Sequence, residues 1–200
     1  MRKMTIAVLL GGLVLPGALL VSAAAASSTK PSVPTTPSVP TTPSAAAAPY
    51  CGITWGSLAK AAGSYTAGPI RSVRVGEHSC FDRFVVNLAG PATGYRARYV
   101  TEVRQDGSGR AVPLRGGAKL QLIIRAPAYD SSGTATFPAS KSELVDVAGL
   151  RTFRQIAGAG SFEGQTTFGL GVRTRLPFRV FVLDGPGSGS RIVVDVAHRW

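Results

Sequence analysis

An antiparallel β-sandwich of about eight or nine short strands, with little helix, is the fold class this sequence predicts. Three observations carry it. Apolar and polar residues alternate in one short run after another, glycine- and proline-rich turns divide those runs about every 8 to 12 residues, and residues 177–200 read as a complete hairpin. In that hairpin Phe178, Val180 and Val182 alternate with Arg179, Phe181 and Leu183. The turn Asp184-Gly185-Pro186-Gly187-Ser188-Gly189-Ser190 breaks the pattern, and Ile192, Val194 and Val196 resume it.

Residues 1–26 read as a secretory signal peptide: basic Arg2 and Lys3, an apolar run over 6–20, then small residues that include Ala-x-Ala pairs. Gly11, Gly12, Pro16 and Gly17 interrupt the run, which is shorter than the roughly 20 residues of a spanning helix, so cleavage is expected and no spanning segment after it. Residues 27–49 follow as a disordered linker. It contains Pro-Ser-Val-Pro-Thr-Thr twice in succession and then four alanines, a composition that favours an extended spacer over a packed core.

Residues 50–200 remain, enough for one domain that buries about two-thirds of its unfolded surface. Within it, residues 57–62 suggest a turn of helix, and 70–75 a short strand. Residues 80–88 form a core strand with Phe84, Val86 and Leu88 on one face. Residues 94–103 alternate again, and Gln105-Asp106-Gly107-Ser108-Gly109 turns the chain into 111–114. Leu120, Leu122 and Ile124 mark the buried face of a strand over 119–125. Residues 126–149 are the long loop, with a weak capping box at Ser140 and Glu143 that suggests a short helix. Strands over 150–156, 165–172, 178–183 and 191–196 complete the fold.

The chain carries 22 basic and 10 acidic residues. Arg2, Lys3 and Lys30 precede residue 50, which leaves 19 basic against 10 acidic in the domain, a net of +9. Sixteen of the 19 are arginine, including Arg96, Arg98 and Arg179. Alternation places pairs such as Arg96 and Arg98 on one face, and a basic face attracts polyanions. Cys51 and Cys80 are the two cysteines. Behind an export signal such a pair predicts a disulfide, closing a loop that the chain-entropy estimate values at about 3 to 4 kcal/mol.

Catalytic constellations are thin. No serine has the glycines of a nucleophile elbow, and the glycines at 185, 187 and 189 join two strands instead of opening a helix. His78 and His198 are the two histidines and suit no catalytic zinc site, so neither a metal nor another cofactor is expected. His78 near Asp82 suggests a small polar pair at a strand mouth. The carboxylates select no glycosidase pair, and those beside an arginine in sequence, such as Asp82 beside Arg83, suggest structural ion pairs. Tyr95 and Tyr99 interleave with Arg96 and Arg98, which fits a stacking surface or simply aromatics turned into the core.

The segments His78-Ser79-Cys80-Phe81-Asp82-Arg83-Phe84, Gly94-Tyr95-Arg96-Ala97-Arg98-Tyr99-Val100, Pro127-Ala128-Tyr129, Phe162-Glu163-Gly164-Gln165-Thr166 and Arg191-Ile192-Val193-Val194-Asp195-Val196 together resemble the AMIN-like domain of exported actinobacterial proteins. That resemblance implies a β-sandwich related to the AMIN domain, the non-catalytic module that places cell-wall amidases at the envelope by binding peptidoglycan. No amidase domain follows in this sequence. The expectation is a secreted, non-enzymatic, envelope-associated binder of a cell-wall polymer, peptidoglycan or an anionic chain, and not of nucleic acid. Its candidate ligand-binding residues are Tyr95, Arg96, Arg98, Tyr99 and Arg179. The alternatives are a wall-glycan hydrolase with a carboxylate pair, and a soluble binder of a protein or small ligand that uses the 126–149 loop.

Overall fold

The computed structural model describes residues 49–66, 68–92 and 94–200, so the expected signal peptide over 1–26 and the linker up to residue 48 lie outside the described residues. Eleven strands occur among the described residues: β1 (Lys60–Ala62), β2 (Ile70–Glu77), β3 (Phe81–Leu88), β4 (Tyr95–Val100), β5 (Val103–Arg104), β6 (Ala111–Val112), β7 (Ala118–Ile124), β8 (Phe153–Phe162), β9 (Gln165–Val172), β10 (Phe178–Asp184) and β11 (Ser190–Ala197). Every pairing is antiparallel. A five-stranded sheet in the order β1-β4-β7-β9-β8 packs on a four-stranded sheet in the order β10-β11-β3-β2, and β5 and β6 form a separate hairpin. The expected sandwich is the fold.

The alternation that marks each strand also builds the core. Phe84, Val86 and Leu88 of β3 and Ile192, Val194 and Val196 of β11 meet Leu120, Leu122 and Ile124 of β7 and Phe168 and Leu170 of β9 between the sheets. Phe84 and Phe168 touch edge to face with ring centroids 5.6 Å apart, a favoured aromatic geometry. At about 1.5–3 kcal/mol for each large apolar side chain fully buried, this layer dominates the stabilisation of the fold.

Two local expectations fail. Residues 57–62 make no helix; 60–62 form β1, because pairing with β4 at the sheet edge (Lys60 with Ala97, Ala62 with Tyr95) outweighs the helix propensity of a short alanine run. Ser140 and Glu143 cap no helix either. Residues 139–144 run beside β8 instead: the Gly158 amide donates to the Lys141 carbonyl at 2.8 Å and the Gly160 amide to the Ala139 carbonyl at 2.9 Å. The Ala-Gly-Ala-Gly of 157–160 is therefore strand and not the linker its composition suggests. A Cβ on Gly158 would stand 2.1 Å from the Ala139 carbonyl oxygen, so the small residues admit a close backbone neighbour. Among the described residues no helix is long and apolar enough to cross a membrane.

Candidate functional site

Cys51 and Cys80 are disulfide-bonded, which ties the first described segment to the residue just ahead of β3. That tie brings Trp55 against Phe81, with ring centroids 5.9 Å apart, at one end of the outer face of the four-stranded sheet. The Trp55 indole N–H donates to the Tyr50 carbonyl at 2.8 Å, and Gly56 bridges to Phe178 at the start of β10.

On that outer face strand register does the assembling. Arg83 of β3 lies opposite Asp195 of β11, which lies opposite Arg179 of β10. The Arg83 guanidinium grips the Asp195 carboxylate with two hydrogen bonds of 2.6 and 2.9 Å, and Arg179 Nε donates to it at 2.8 Å. Asp195 is fully buried, whereas the side chains of Arg83 and Arg179 keep 25% and 33% exposure. Two arginines on one carboxylate leave a net positive charge at the surface. The hydrogen bonds that Arg83 donates to Asp195 hold its proton more tightly than usual, against the opposing effect of burial.

Aromatic rings frame the triad. The Arg179 guanidinium carbon stands 5.0 Å from the Phe181 ring centroid, 5.4 Å from that of Phe81 and 5.6 Å from that of Trp55. Arg83 stacks over Phe81 and Phe181 in the same way. Guanidinium planes fixed against rings present their remaining N–H groups outward in a set direction. Arg74 and Arg191 extend the basic surface, and neither forms an ion pair among the described residues.

The expected ligand-binding residues do not share one surface. Arg179 belongs to the face just described, while Arg96 and Arg98 are exposed on the outer side of the five-stranded sheet. Tyr95 and Tyr99 point between the sheets, away from the face that carries Arg96 and Arg98, and the Arg175 guanidinium lies over the Tyr99 ring at 5.0 Å. The Tyr95 hydroxyl donates to the Val180 carbonyl at 3.2 Å, and the Tyr99 hydroxyl donates to the Leu176 carbonyl at 2.7 Å while accepting from the Leu176 amide at 3.1 Å. They tie one sheet to the other.

The expected His78–Asp82 pair is replaced by another. Asp82 is fully buried and accepts from the Thr152 amide at 2.5 Å, from the Thr152 hydroxyl at 2.7 Å and, through its other oxygen, pairs with His198 Nε2 at 3.0 Å. Burial opposes its charge, yet the hydrogen bonds from Thr152 and His198 prevail and hold the carboxyl below its ordinary range. His78 instead stacks on Phe81, with centroids 4.6 Å apart. Asp82 and Arg83 do not pair with each other, because successive side chains of a strand face opposite ways. For the same reason Asp82 and Asp195, on neighbouring strands, serve opposite faces of the sheet and make no carboxylate pair. Among the described residues no cluster of three or more His, Cys, Asp or Glu gathers as a metal would require.

Of the triad only Arg179 was selected in the sequence, because Arg83 and Asp195 look like the ordinary outward positions of two core strands. For Asp195 a signal was present: it is a charge in the middle of an otherwise apolar run.

The AMIN-like domain family matches residues 68–198. The chain belongs to this family. The match spans β2 through β11 and thus the whole triad, while Cys51, Trp55 and β1 of this AMIN-like protein lie ahead of it. An AMIN-like domain fits an envelope-associated binding module in general, and such domains are generally non-catalytic. No curated protein and no solved structure matches the chain.

Proposed function

We propose that this AMIN-like protein is secreted and works at the cell envelope by binding, without catalysis, a wall polymer: peptidoglycan or an anionic chain. The observation that supports this reading is the outer face of the four-stranded sheet, where, among the described residues, Arg74, Arg83, Arg179 and Arg191 stand against a single carboxylate, Asp195. Half-buried Trp55, Phe81 and Phe181 beside the guanidinium groups add flat surface of the kind that stacks on sugar rings. Arg96 and Arg98 are a second basic site on the opposite side, without exposed aromatic neighbours on their own strand.

Co-sedimentation tests this. The purified chain should pellet with isolated walls at low salt, and release should follow as the Debye length falls from about 10 Å at 0.1 M to about 3 Å at 1 M salt. Charge reversal at Arg74 and Arg191 should weaken binding more than charge reversal at Arg96 and Arg98. A chain that stays in the supernatant at low salt overturns the envelope reading. A second reading, a soluble binder of a small ligand, is favoured by one observation: a groove of about 510 Å³ at the 126–149 loop, lined by Tyr129, Phe137, Lys141 and Ser161 among others.

A further inference from the structure

Between the arginines of the four-stranded sheet lies a depression of about 220 Å³. Its floor is apolar, Val85 of β3 beside Val193 of β11, and Arg74 stands across from Val85 on β2. Two residues along β3 toward its start, Arg83 faces Gly76. Two residues the other way, Arg191 of β11 pairs with Asn87. Alternate positions on one strand face are about 7 Å apart, so three guanidinium groups approach one floor from three sides. Among the described residues no carboxylate lines it.

Each arginine is oriented before any ligand arrives. Arg83 is held by Asp195, Arg74 donates to Asn87 Oδ1 at 2.9 Å, and Arg191 donates to the Asp184 carbonyl at 2.8 Å. Arg191 Nε is enclosed and has no hydrogen-bond partner among the described residues. Gly76 keeps the mouth open: a Cβ there would meet nothing within 4 Å.

Size and geometry select the ligand. Pockets that enclose a drug-sized molecule begin at roughly 300 Å³, so this one suits a single small charged group and not a disaccharide. A carboxylate ends its side chain with two coplanar oxygens, whereas a phosphodiester lies within its chain, with carbons on both sides of two non-bridging oxygens that forks on different sides of one floor can share. We propose that this depression is a subsite for one phosphodiester unit of a polyanionic chain, a specificity that rests on the envelope-binding reading above for its biological source. The flanking carbons of the chain cross Val85, Val193 and the neighbouring Leu183.

The test uses the full chain and its variants against four probes: inorganic phosphate, a poly(glycerol phosphate) oligomer, polyglutamate of equal charge, and vesicles containing phosphatidylglycerol. The wild type should bind poly(glycerol phosphate) at least about tenfold more tightly than polyglutamate, with inorganic phosphate competing. Gly76→Glu, which puts a carboxylate opposite Arg83, and Arg191→Gln should each weaken the oligomer by about tenfold, the size of one charge-assisted contact. Arg110→Gln, an exposed position just ahead of β6 with the same change in net charge as Arg191→Gln, should change it less than about twofold. Thermal unfolding confirms that each variant is folded, and Arg191→Gln carries the test if Gly76→Glu does not fold. Binding to the soluble oligomer alone supports the subsite with a wall polymer as its source; binding to the vesicles as well supports it with a lipid headgroup as a further source. Equal affinity for polyglutamate, or unchanged affinity in both cleft variants, overturns the phosphodiester subsite. If such variants still pellet with walls as the wild type does, the envelope reading survives that result. Failure of the wild type to pellet would instead remove the envelope reading itself.

Discussion

The outer faces of the two sheets are built from the same alternating strands and end in opposite conditions. That of the five-stranded sheet is partly roofed: Val103 and Val112 of the β5–β6 hairpin bury themselves against Ala157 and Ala159 of β8, with Leu114 packed alongside. That of the four-stranded sheet has no such roof among the described residues and carries arginines and rings. The roof demands small residues beneath it. A Cβ on Gly169 would stand 2.7 Å from a Leu114 methyl, and one on Gly171 would stand 2.0 Å from the Arg115 carbonyl oxygen. The bare face makes no such demand at Gly76. A covered sheet face is thus recognisable by glycines whose Cβ would meet the cover, and an uncovered one by side chains that have no need to be apolar.

Four substitutions sharpen or break this contrast. The largest effect belongs to the bare face: Asp195→Ala leaves Arg83 and Arg179 confronting each other without their carboxylate, and should cost about 3 kcal/mol in chemical denaturation. Full stability in that variant would show that the triad contributes nothing to the fold. Gly171→Ala, under the roof, should cost about 1–3 kcal/mol, because a backbone oxygen cannot move aside as a flexible side chain would. Tyr99→Phe removes a hydroxyl that serves two backbone groups between the sheets and should cost about 1–2 kcal/mol near neutral pH.

Tyr99 also gives a pH signature. Burial pushes its hydroxyl up to about 12 from the model-peptide value of 10.0, against weaker opposing pulls from the Leu176 hydrogen bond and Arg175. A folded pKa above the unfolded one means that this contribution is complete below pH 10 and is lost as pH rises through about 12. Stability measured across that window should decline less steeply in Tyr99→Phe than in the wild type, with Tyr95, also raised by burial, supplying part of what remains. The smallest effect is Gly76→Ala, expected within about 0.5 kcal/mol of wild type. A larger loss there would mean that the bare face is under the same constraint as the roofed one.

Each of the nine runs expected as strand does contain strand, since alternation is a local property that survives whatever partner a strand finds. The run over 94–103 divides into β4 and β5 because Thr101 and Glu102 leave the ladder as the chain turns into the roofing hairpin. β1 was invisible because three residues with no periodicity acquire their conformation from β4 alone. The site was less legible than the fold for a related reason. Alternation says that Arg83, Arg179 and Asp195 face outward, but only register says that they face outward in one row. Likewise, His78 is near Asp82 in sequence, yet strand pleating turns Asp82 away from it and toward His198, 116 residues along the chain.

The Cys51–Cys80 bond has a mechanical consequence. Tension applied to the chain ahead of Cys51 passes through the bond straight to the start of β3, an inner strand flanked on both sides by β11 and β2. Load that enters at an inner strand meets two ladders at once and must shear them, whereas load on an edge strand unzips one hydrogen bond after another. The 29-residue interval between the cysteines, with β1 and β2 in it, lies outside that load path. Reduction would insert the interval into the path as about 100 Å of extensible chain, and the pull would then begin by peeling β1 and β2 from the edges of their sheets.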